Sequence, residues 1–119
     1  MEFQRLADKS KFIDWLNSKD VKIREKAVES LGRIQDTSTI SWVANRLLDQ
    51  NDSVRYKAAF SMGQFFSIKA EEPLSSTLPH EKDVGIRSKM VEALGKTGDD
   101  KYSSLIRNAI ESNDRQLEQ

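Results

Sequence analysis

Arginine recurs in this sequence at an almost constant interval, and its guanidinium group is suited to binding phosphates or carboxylates. Arg24, Arg55 and Arg87 are separated by 31 and 32 residues. Asp20 and Asp83 stand four residues before two of these arginines, a spacing that brings an acid and a base together on a helix. Because a phosphate-binding arginine rarely has a matched acid one turn away, we predict a structural ladder of ion pairs that holds the repeats in register.

Two further columns of mostly basic residues recur at the same interval. With one aromatic residue, their members are the predicted partner-binding residues: Lys26, Arg33, Lys57, Phe60, Gln64, Lys89 and Lys96. Phe60 occupies the position at which the other repeats have Glu29 and Glu92. An exposed aromatic ring among basic residues would suit a hot spot for a protein partner. The alternative is that Phe60 packs against a neighbouring helix and the lysines form a solvated face.

Residues for catalysis or metal binding are scarce. The sequence has no cysteine and a single histidine, His80, whereas a transition-metal site usually takes several such ligands. No serine in a suitable context has an activating histidine near it, and the five glycines are too dispersed for a phosphate-binding loop. We therefore predict that the chain is not an enzyme and has no cofactor or metal.

The composition limits the kinds of partner. Lys plus Arg (19) equals Asp plus Glu (19), so no net charge attracts the chain to nucleic acid or to an anionic membrane. No apolar run approaches the roughly 18 residues needed to span a bilayer. The amino-terminal residues lack the basic and then apolar pattern of a signal peptide. We expect a soluble, cytoplasmic protein whose favoured partner is another protein, with nucleic acid as a disfavoured alternative.

The recurrent columns belong to three segments that have the apolar periodicity of helices. In the first segment, Ile23, Ala27, Leu31 and Ile34 follow steps of four, four and three residues and form one stripe. Late in each segment a glycine recurs, where the missing side chain allows a neighbouring helix to approach: Gly32, Gly63 and Gly95. These helices, called the B helices, are predicted at about residues 20–34, 52–66 and 84–96.

The helices that precede them, called the A helices, have weaker signals. They are predicted at residues 39–48, 70–78 and 101–112, with a loop at 79–82. An earlier helix is predicted to be capped by Asp8, and residues 1–7 are interpreted as the end of a separate, preceding B helix. The aromatic residues Trp42, Phe65 and Phe66 are predicted to lie in the core, because they follow the apolar spacing of these helices.

The two ends of the sequence correspond to incomplete repeats. Phe3 aligns with Ile34, and Asp114 aligns with Asp83, when 31 residues are counted back or forward. The helix predicted at 101–112 therefore lacks a complete partner for its apolar residues. We predict a single domain over residues 1–119 that is a fragment of a longer array or self-associates through this terminal helix.

The repeated pattern is Asp, then Val or Ile before Arg, then two small or apolar residues, then Leu-Gly. It resembles HEAT repeats of the short bacterial and archaeal, phycobilisome-lyase-like class over roughly residues 8–112. The resemblance implies an all-α solenoid, a right-handed superhelix of about three helical hairpins of 31–32 residues plus partial terminal repeats. It also implies that B helices line the concave side and that Asp and Arg form a buried ladder. Asn51 replaces the aspartate in the middle repeat, which predicts a weaker step there.

The resemblance and the basic columns together favour a protein-interaction scaffold that binds its partner on the concave face of the B helices. One alternative is a HEAT-like module that binds nucleic acid. Another is a lyase-like protein or non-catalytic subunit acting on a pigment-bearing partner. A steep fall of affinity with salt would favour nucleic acid, and a chromophore that co-purifies would favour the pigment-related alternative.

Overall fold

The chain folds into six α-helices in the part that the structure describes. The computed structural model describes residues 2–97, with side chains from residue 9 onward. The helices are α1 (Glu2–Trp15), α2 (Val21–Ile34), α3 (Ile40–Asn45), α4 (Asp52–Gln64), α5 (Glu71–Thr77) and α6 (Val84–Gly95). No strand occurs between residues 2 and 97, and the all-α prediction is confirmed. The helix predicted at 101–112, and self-association through it, lie outside the described residues.

The predicted B helices are α2, α4 and α6, and a polar side chain caps the start of each. Asp20, Asn51 and Asp83 occupy equivalent positions, and each accepts hydrogen bonds from the backbone of the first turn. The Asn51 oxygen accepts from the N–H of Ser53 at 2.9 Å and of Val54 at 3.2 Å. Such bonds satisfy N–H groups that have no partner within the helix. These positions therefore set where the B helices begin.

Small residues allow the B helices to pack closely, α2 against α4 and α4 against α6. A Cβ atom added to Gly32 would lie 2.6 Å from Ser61 Oγ, and one added to Gly63 would lie 3.1 Å from the Cα of Ala93. Ser61 Oγ also donates a buried hydrogen bond of 3.0 Å to the carbonyl oxygen of Val28. Gly32 and Gly63 are thus points of close contact between successive repeats, as their spacing predicted, whereas a Cβ added to Gly95 meets no described atom within 4 Å.

The apolar core lies between the B helices and the A helices. Its largest fully buried apolar side chains come from all three repeats: Val28, Leu31, Val43, Leu47, Val54, Met62, Leu74, Met90 and Leu94. The stripe predicted in α2 is buried at Ala27 and Leu31, whereas Ile23 and Ile34 are only partly buried. The B helices therefore turn the opposite side, which carries the basic columns, toward solvent.

The A helices differ from their predicted limits. Helix α1 runs without interruption from Glu2 to Trp15, so the prediction that Asp8 caps a separate helix was wrong. No glycine or proline stands before Asp8 to interrupt a helix at that point. Helices α3 and α5 are short, and each leads into a 3₁₀ turn, at Arg46–Leu48 and at Leu78–His80.

The arginine ladder joins neighbouring repeats through acids that the sequence analysis did not select. Arg24 donates from Nε and Nη2 to the two carboxylate oxygens of Asp49 at 2.9 and 3.1 Å. Arg55 donates from Nε to Glu81 at 2.8 Å. Each arginine also donates to a backbone carbonyl of its own repeat, that of Ser18 at 2.8 Å and that of Asp49 at 2.9 Å. Arg24 and Arg55 therefore tie each repeat to the next.

The predicted pairing of Arg24 with Asp20 is wrong. The Asp20 carboxylate instead accepts from a backbone N–H at the start of α2, which leaves the arginine to bind across the repeats. The step predicted to be weak is complete, since Arg55 has carboxylate and carbonyl partners. Asp83 likewise caps α6, and its pairing with Arg87 stays a prediction.

One ion pair links α1 to the segment after α2. Lys9 Nζ lies 3.0 Å from Asp36 Oδ2, and the same carboxylate accepts from the backbone N–H and the hydroxyl of Ser38 at 2.9 and 2.7 Å. The hydroxyl of Ser38, then Lys9 and the backbone N–H, lower the pKa of Asp36 to about 2. The ionised form is therefore favoured more in the folded chain than in the unfolded chain.

The Asp36 pair predicts an acid-dependent loss of stability. Its contribution is fully present above the ordinary pKa of 3.8 and is lost as the pH falls through about 2. We expect Asp36→Asn, which keeps a capping oxygen, to destabilise the chain near neutral pH by about 1 kcal/mol or less. The difference from wild type should shrink toward pH 2 in urea unfolding. The exposed Asp14→Asn serves as control, and an unchanged difference at low pH would contradict the assignment.

Candidate partner-binding face

The predicted partner-binding residues lie on the B helices, and Phe60 is central among them. The solvent-facing side of α2, α4 and α6 that carries these residues is called the B face. Phe60 is 43% exposed, so it is not a core residue. Tyr56, one helical turn earlier on the same side of α4, is 41% exposed. The B face therefore presents two aromatic rings in its middle repeat.

A groove of about 450 Å³ runs between α2 and α4 beside these rings. Four predicted residues contribute to its lining, which consists of Glu29, Gly32, Arg33, Tyr56, Lys57, Phe60, Ser61 and Gln64. Gly32 has no side chain and Ser61 has a short one. The close contact of α2 with α4 at these two residues therefore leaves the groove open on its solvent side. Lys26 is exposed on α2 but does not line the groove.

Two lysines from the following repeat extend over the aromatic rings. Lys89 Nζ lies 5.4 Å from the ring centre of Tyr56 and 5.5 Å from that of Phe60. Lys96 Nζ lies 5.5 Å from the ring centre of Phe60 and 5.9 Å from that of Phe66. These distances are in the range of cation–π attraction. The structure thus brings Lys89 and Lys96 to the aromatic centre of the B face.

Two of the predicted lysines are neutralised by neighbouring acids. Lys57 of α4 forms an ion pair with Glu29 of α2, across the groove. Lys89 Nζ lies 2.7 Å from Glu92 one turn later in α6. The hydrogen bond that Lys57 donates to Glu29 raises the pKa of Lys57, and the one that Lys89 donates to Glu92 raises the pKa of Lys89. Both lysines therefore stay charged, with that charge matched inside the chain.

The helical hairpins and their glycine contacts agree with a comparison with known protein families. The sequence model for HEAT repeats matches the chain over residues 9–75 and 40–119. The chain belongs to the HEAT-repeat family. No curated protein matches the sequence of this HEAT-repeat chain. HEAT repeats commonly serve as protein-interaction scaffolds, and membership in the phycobilisome-lyase-like class stays a prediction.

Phe66 is an exposed aromatic residue of this HEAT domain that the sequence analysis assigned to the core. It lies two residues beyond α4 and is 61% exposed. Its backbone φ is 48°, in the left-handed region that costs a residue with a side chain about 1–2 kcal/mol. Gln35 has φ 59° at the equivalent position of the preceding repeat, and Gly98 occupies it in the next repeat of the sequence. That alignment with a glycine was the available signal that Phe66 lies beyond the helix end.

Of the other two aromatic residues predicted to lie in the core, one is buried and one is exposed. Phe65 is buried in the core, as predicted. Trp42 is 44% exposed on α3, so its assignment to the core was wrong. A six-residue helix buries Ile40 and Val43 on its inner side and leaves the position between them outside. Trp42 lies on an A helix, away from the groove lining.

Two features are absent from the described residues of this HEAT-repeat chain. No group of three or more histidine, cysteine or acidic residues able to hold a metal ion occurs among them. Between residues 2 and 97, no helix has both the length and the apolar character required to cross a membrane.

Proposed function

We propose that this HEAT-repeat chain is a non-catalytic protein-interaction scaffold that binds a partner on its B face, with Phe60 at the centre of the contact. The observation that supports this most is the exposure of Phe60 beside a groove that Lys57 and Gln64 also line. Aromatic rings in partly enclosed sites contribute most of the binding energy at many protein interfaces. The proposal retains the cytoplasmic location expected from the sequence.

The equivalent residues in the flanking repeats support a contact that is confined to the middle of the B face. Phe60 replaces Glu29 of α2 and Glu92 of α6, and Tyr56 replaces Glu25 and Ser88. Isolated exposed aromatic residues are common on protein surfaces. Here, however, the two rings are adjacent and border a groove, as expected for the core of a small interface with a polar rim.

Phe60→Ala is expected to remove binding without unfolding the chain. We predict at least a tenfold loss of partner affinity, because the substitution removes the ring that the partner would bury at the centre of the contact. The free energy of unfolding should change by less than about 1 kcal/mol, since the ring is already partly exposed. The measurement is retention of proteins from a nuclease-treated lysate on the immobilised chain, with urea unfolding of each variant.

Trp42→Ala is the matched control, because Trp42 is equally exposed on the A-helix side. A protein retained by wild type and by Trp42→Ala, but not by Phe60→Ala, would support the B-face scaffold. Equal retention by all three chains would contradict the assigned face. Nucleic acid that co-purifies only without nuclease, and with no retained protein, would replace the scaffold with the nucleic-acid alternative.

A further inference from the structure

We propose that the partner segment bound by the B face is acidic and carries an apolar anchor, so that its side chains pack on α4 while its carboxylates pair with Arg33 and Lys96. This inference rests on the scaffold function proposed above and specifies the chemistry of its ligand.

The apolar part of the surface extends beyond Phe60 to form an aromatic strip, defined here as Tyr56, Phe60 and Phe66. Lys89 lies against the first two rings and Lys96 against the last two, so these two lysines connect the three rings. Phe66 is 61% exposed, at the left-handed position that also ends α2 at Gln35. We therefore expect the partner to pack aliphatic or aromatic side chains on the aromatic strip.

The charges of the B face determine which residues of the partner segment should flank its apolar anchor. Lys57 and Lys89 are paired with Glu29 and Glu92 and need no further acid. Arg33 and Lys96, in contrast, are exposed and form no salt bridge within residues 9–97, although the hydrogen bond and the charge of Lys89, and then the charge of Lys96, lower the pKa of Glu92. Arg33 and Lys96 occupy the same column, at the carboxyl ends of α2 and α6, on either side of Gln64.

Carboxylates on the partner would supply the missing counter-charges. The carboxyl end of a helix also favours a cation, but that attraction leaves the charge exposed to solvent. Complementary charges at the rim of an interface steer association and fix its register. Lys96 can bind a carboxylate while it remains over Phe60 and Phe66, so it would join the apolar and charged parts of one site.

The acids of the B face favour a peptide over a nucleic acid. Glu29 lines the groove beside Phe60, and Glu92 lies on α6 beyond it. A nucleic-acid backbone carries a phosphate at every nucleotide and would bring negative charge against both acids. A peptide can place its carboxylates opposite Arg33 and Lys96 alone. An acidic segment of a protein is therefore the ligand that complements both the rings and the charges.

The preference for an acidic segment can be tested by selection from a displayed library of random peptides of about 12 residues, with the immobilised wild-type chain as bait. We expect enrichment of sequences that combine Asp or Glu with Leu, Ile, Phe or Trp. The best peptide is then labelled and titrated by fluorescence anisotropy. Lys96→Glu should weaken its binding about tenfold or more through charge reversal. The exposed Lys82→Glu, two residues before the first residue of α6, should change the affinity less than about twofold.

Phe66→Gly separates a binding role from a structural one. Glycine relieves the positive φ, so the thermal midpoint should stay equal or rise, whereas the affinity for the peptide should fall severalfold. A severalfold loss of affinity without a loss of stability would support the strip. A peptide that binds Phe66→Gly as tightly as wild type would exclude Phe66 from the site and overturn the three-ring strip.

The remaining outcomes distinguish failure of this inference from failure of the scaffold function. Enriched peptides that are neutral or basic, and that lose binding with Phe60→Ala, would overturn the acidic segment and leave the scaffold intact. Acidic peptides insensitive to Lys96→Glu would also overturn it. If no enriched peptide depends on Phe60 for its binding, both proposals are contradicted. Displacement of the peptide by a single-stranded oligonucleotide at equal concentration would favour nucleic acid instead.

Discussion

Arg55→Ala is expected to lower the free energy of unfolding by about 3 kcal/mol, the largest effect predicted for a single charged residue here. The Arg55 guanidinium binds the carboxylate of Glu81 at 2.8 Å and the carbonyl oxygen of Asp49 at 2.9 Å. The Glu81 side chain is only 5% exposed, so removal of the arginine would leave a buried charge poorly compensated. Chemical denaturation followed by circular dichroism measures the effect.

The pKa of Arg55 agrees with this role. Burial by itself would lower that pKa, but the hydrogen bond and the charge of Glu81, followed by those of Asp52, outweigh burial and raise it. Arg55→Lys should recover part of the lost stability, because lysine keeps the charge but lacks the planar fork. Arg33→Ala, at an exposed position, should change stability by less than about 0.5 kcal/mol. A similarly small effect of Arg55→Ala would mean that the ladder adds little to the stacking of repeats.

Gly32→Ala is expected to destabilise the chain by about 2 kcal/mol, although alanine usually favours a helix more than glycine does. The added Cβ would lie 2.6 Å from Ser61 Oγ and 2.8 Å from Ser61 Cβ, so α2 and α4 would have to move apart. Overpacking of this kind costs about 1–3 kcal/mol, against a gain in helix propensity of about 0.5–1 kcal/mol. The same denaturation experiment gives the difference.

The equivalent glycines provide a graded control series. At Gly63 the nearest atom to an added Cβ is the Cα of Ala93 at 3.1 Å, so Gly63→Ala should cost less than Gly32→Ala. At Gly95 an added Cβ meets no described atom within 4 Å, so Gly95→Ala should be neutral or stabilise by up to about 1 kcal/mol. Equal effects at Gly32 and Gly95 would rule out the close contact with Ser61 as the reason for the glycine.

The positions of the B helices could be predicted because local interactions set them. Their predicted limits, 20–34, 52–66 and 84–96, differ from those observed by two residues at most. Asp20, Asn51 and Asp83 bind backbone groups only two or three residues away. The glycine at each point of close packing also follows from sequence, since the contact repeats with the same interval as the helices.

The candidate site could be predicted in part. Phe60 was selected because it interrupts a column of acids, which is visible in an alignment of the repeats. Tyr56 and Phe66 were missed as members of the same aromatic surface. Tyr56 precedes Phe60 by one helical turn, which was an available signal. The exposure of Phe66 depends on the chain reversal after α4, and apolar periodicity alone places such a residue inside.

The sequence by itself determined the repeat, its helices and the columns of residues that share one face. Only the tertiary structure decided which charges meet. Arg24 binds Asp49, 25 residues away, because the nearby Asp20 is occupied as a helix cap. Lys57 likewise pairs with Glu29 of the preceding repeat. Ion pairs of this kind depend on the distance between stacked helices, which the packing of whole repeats sets and which no short segment of sequence contains.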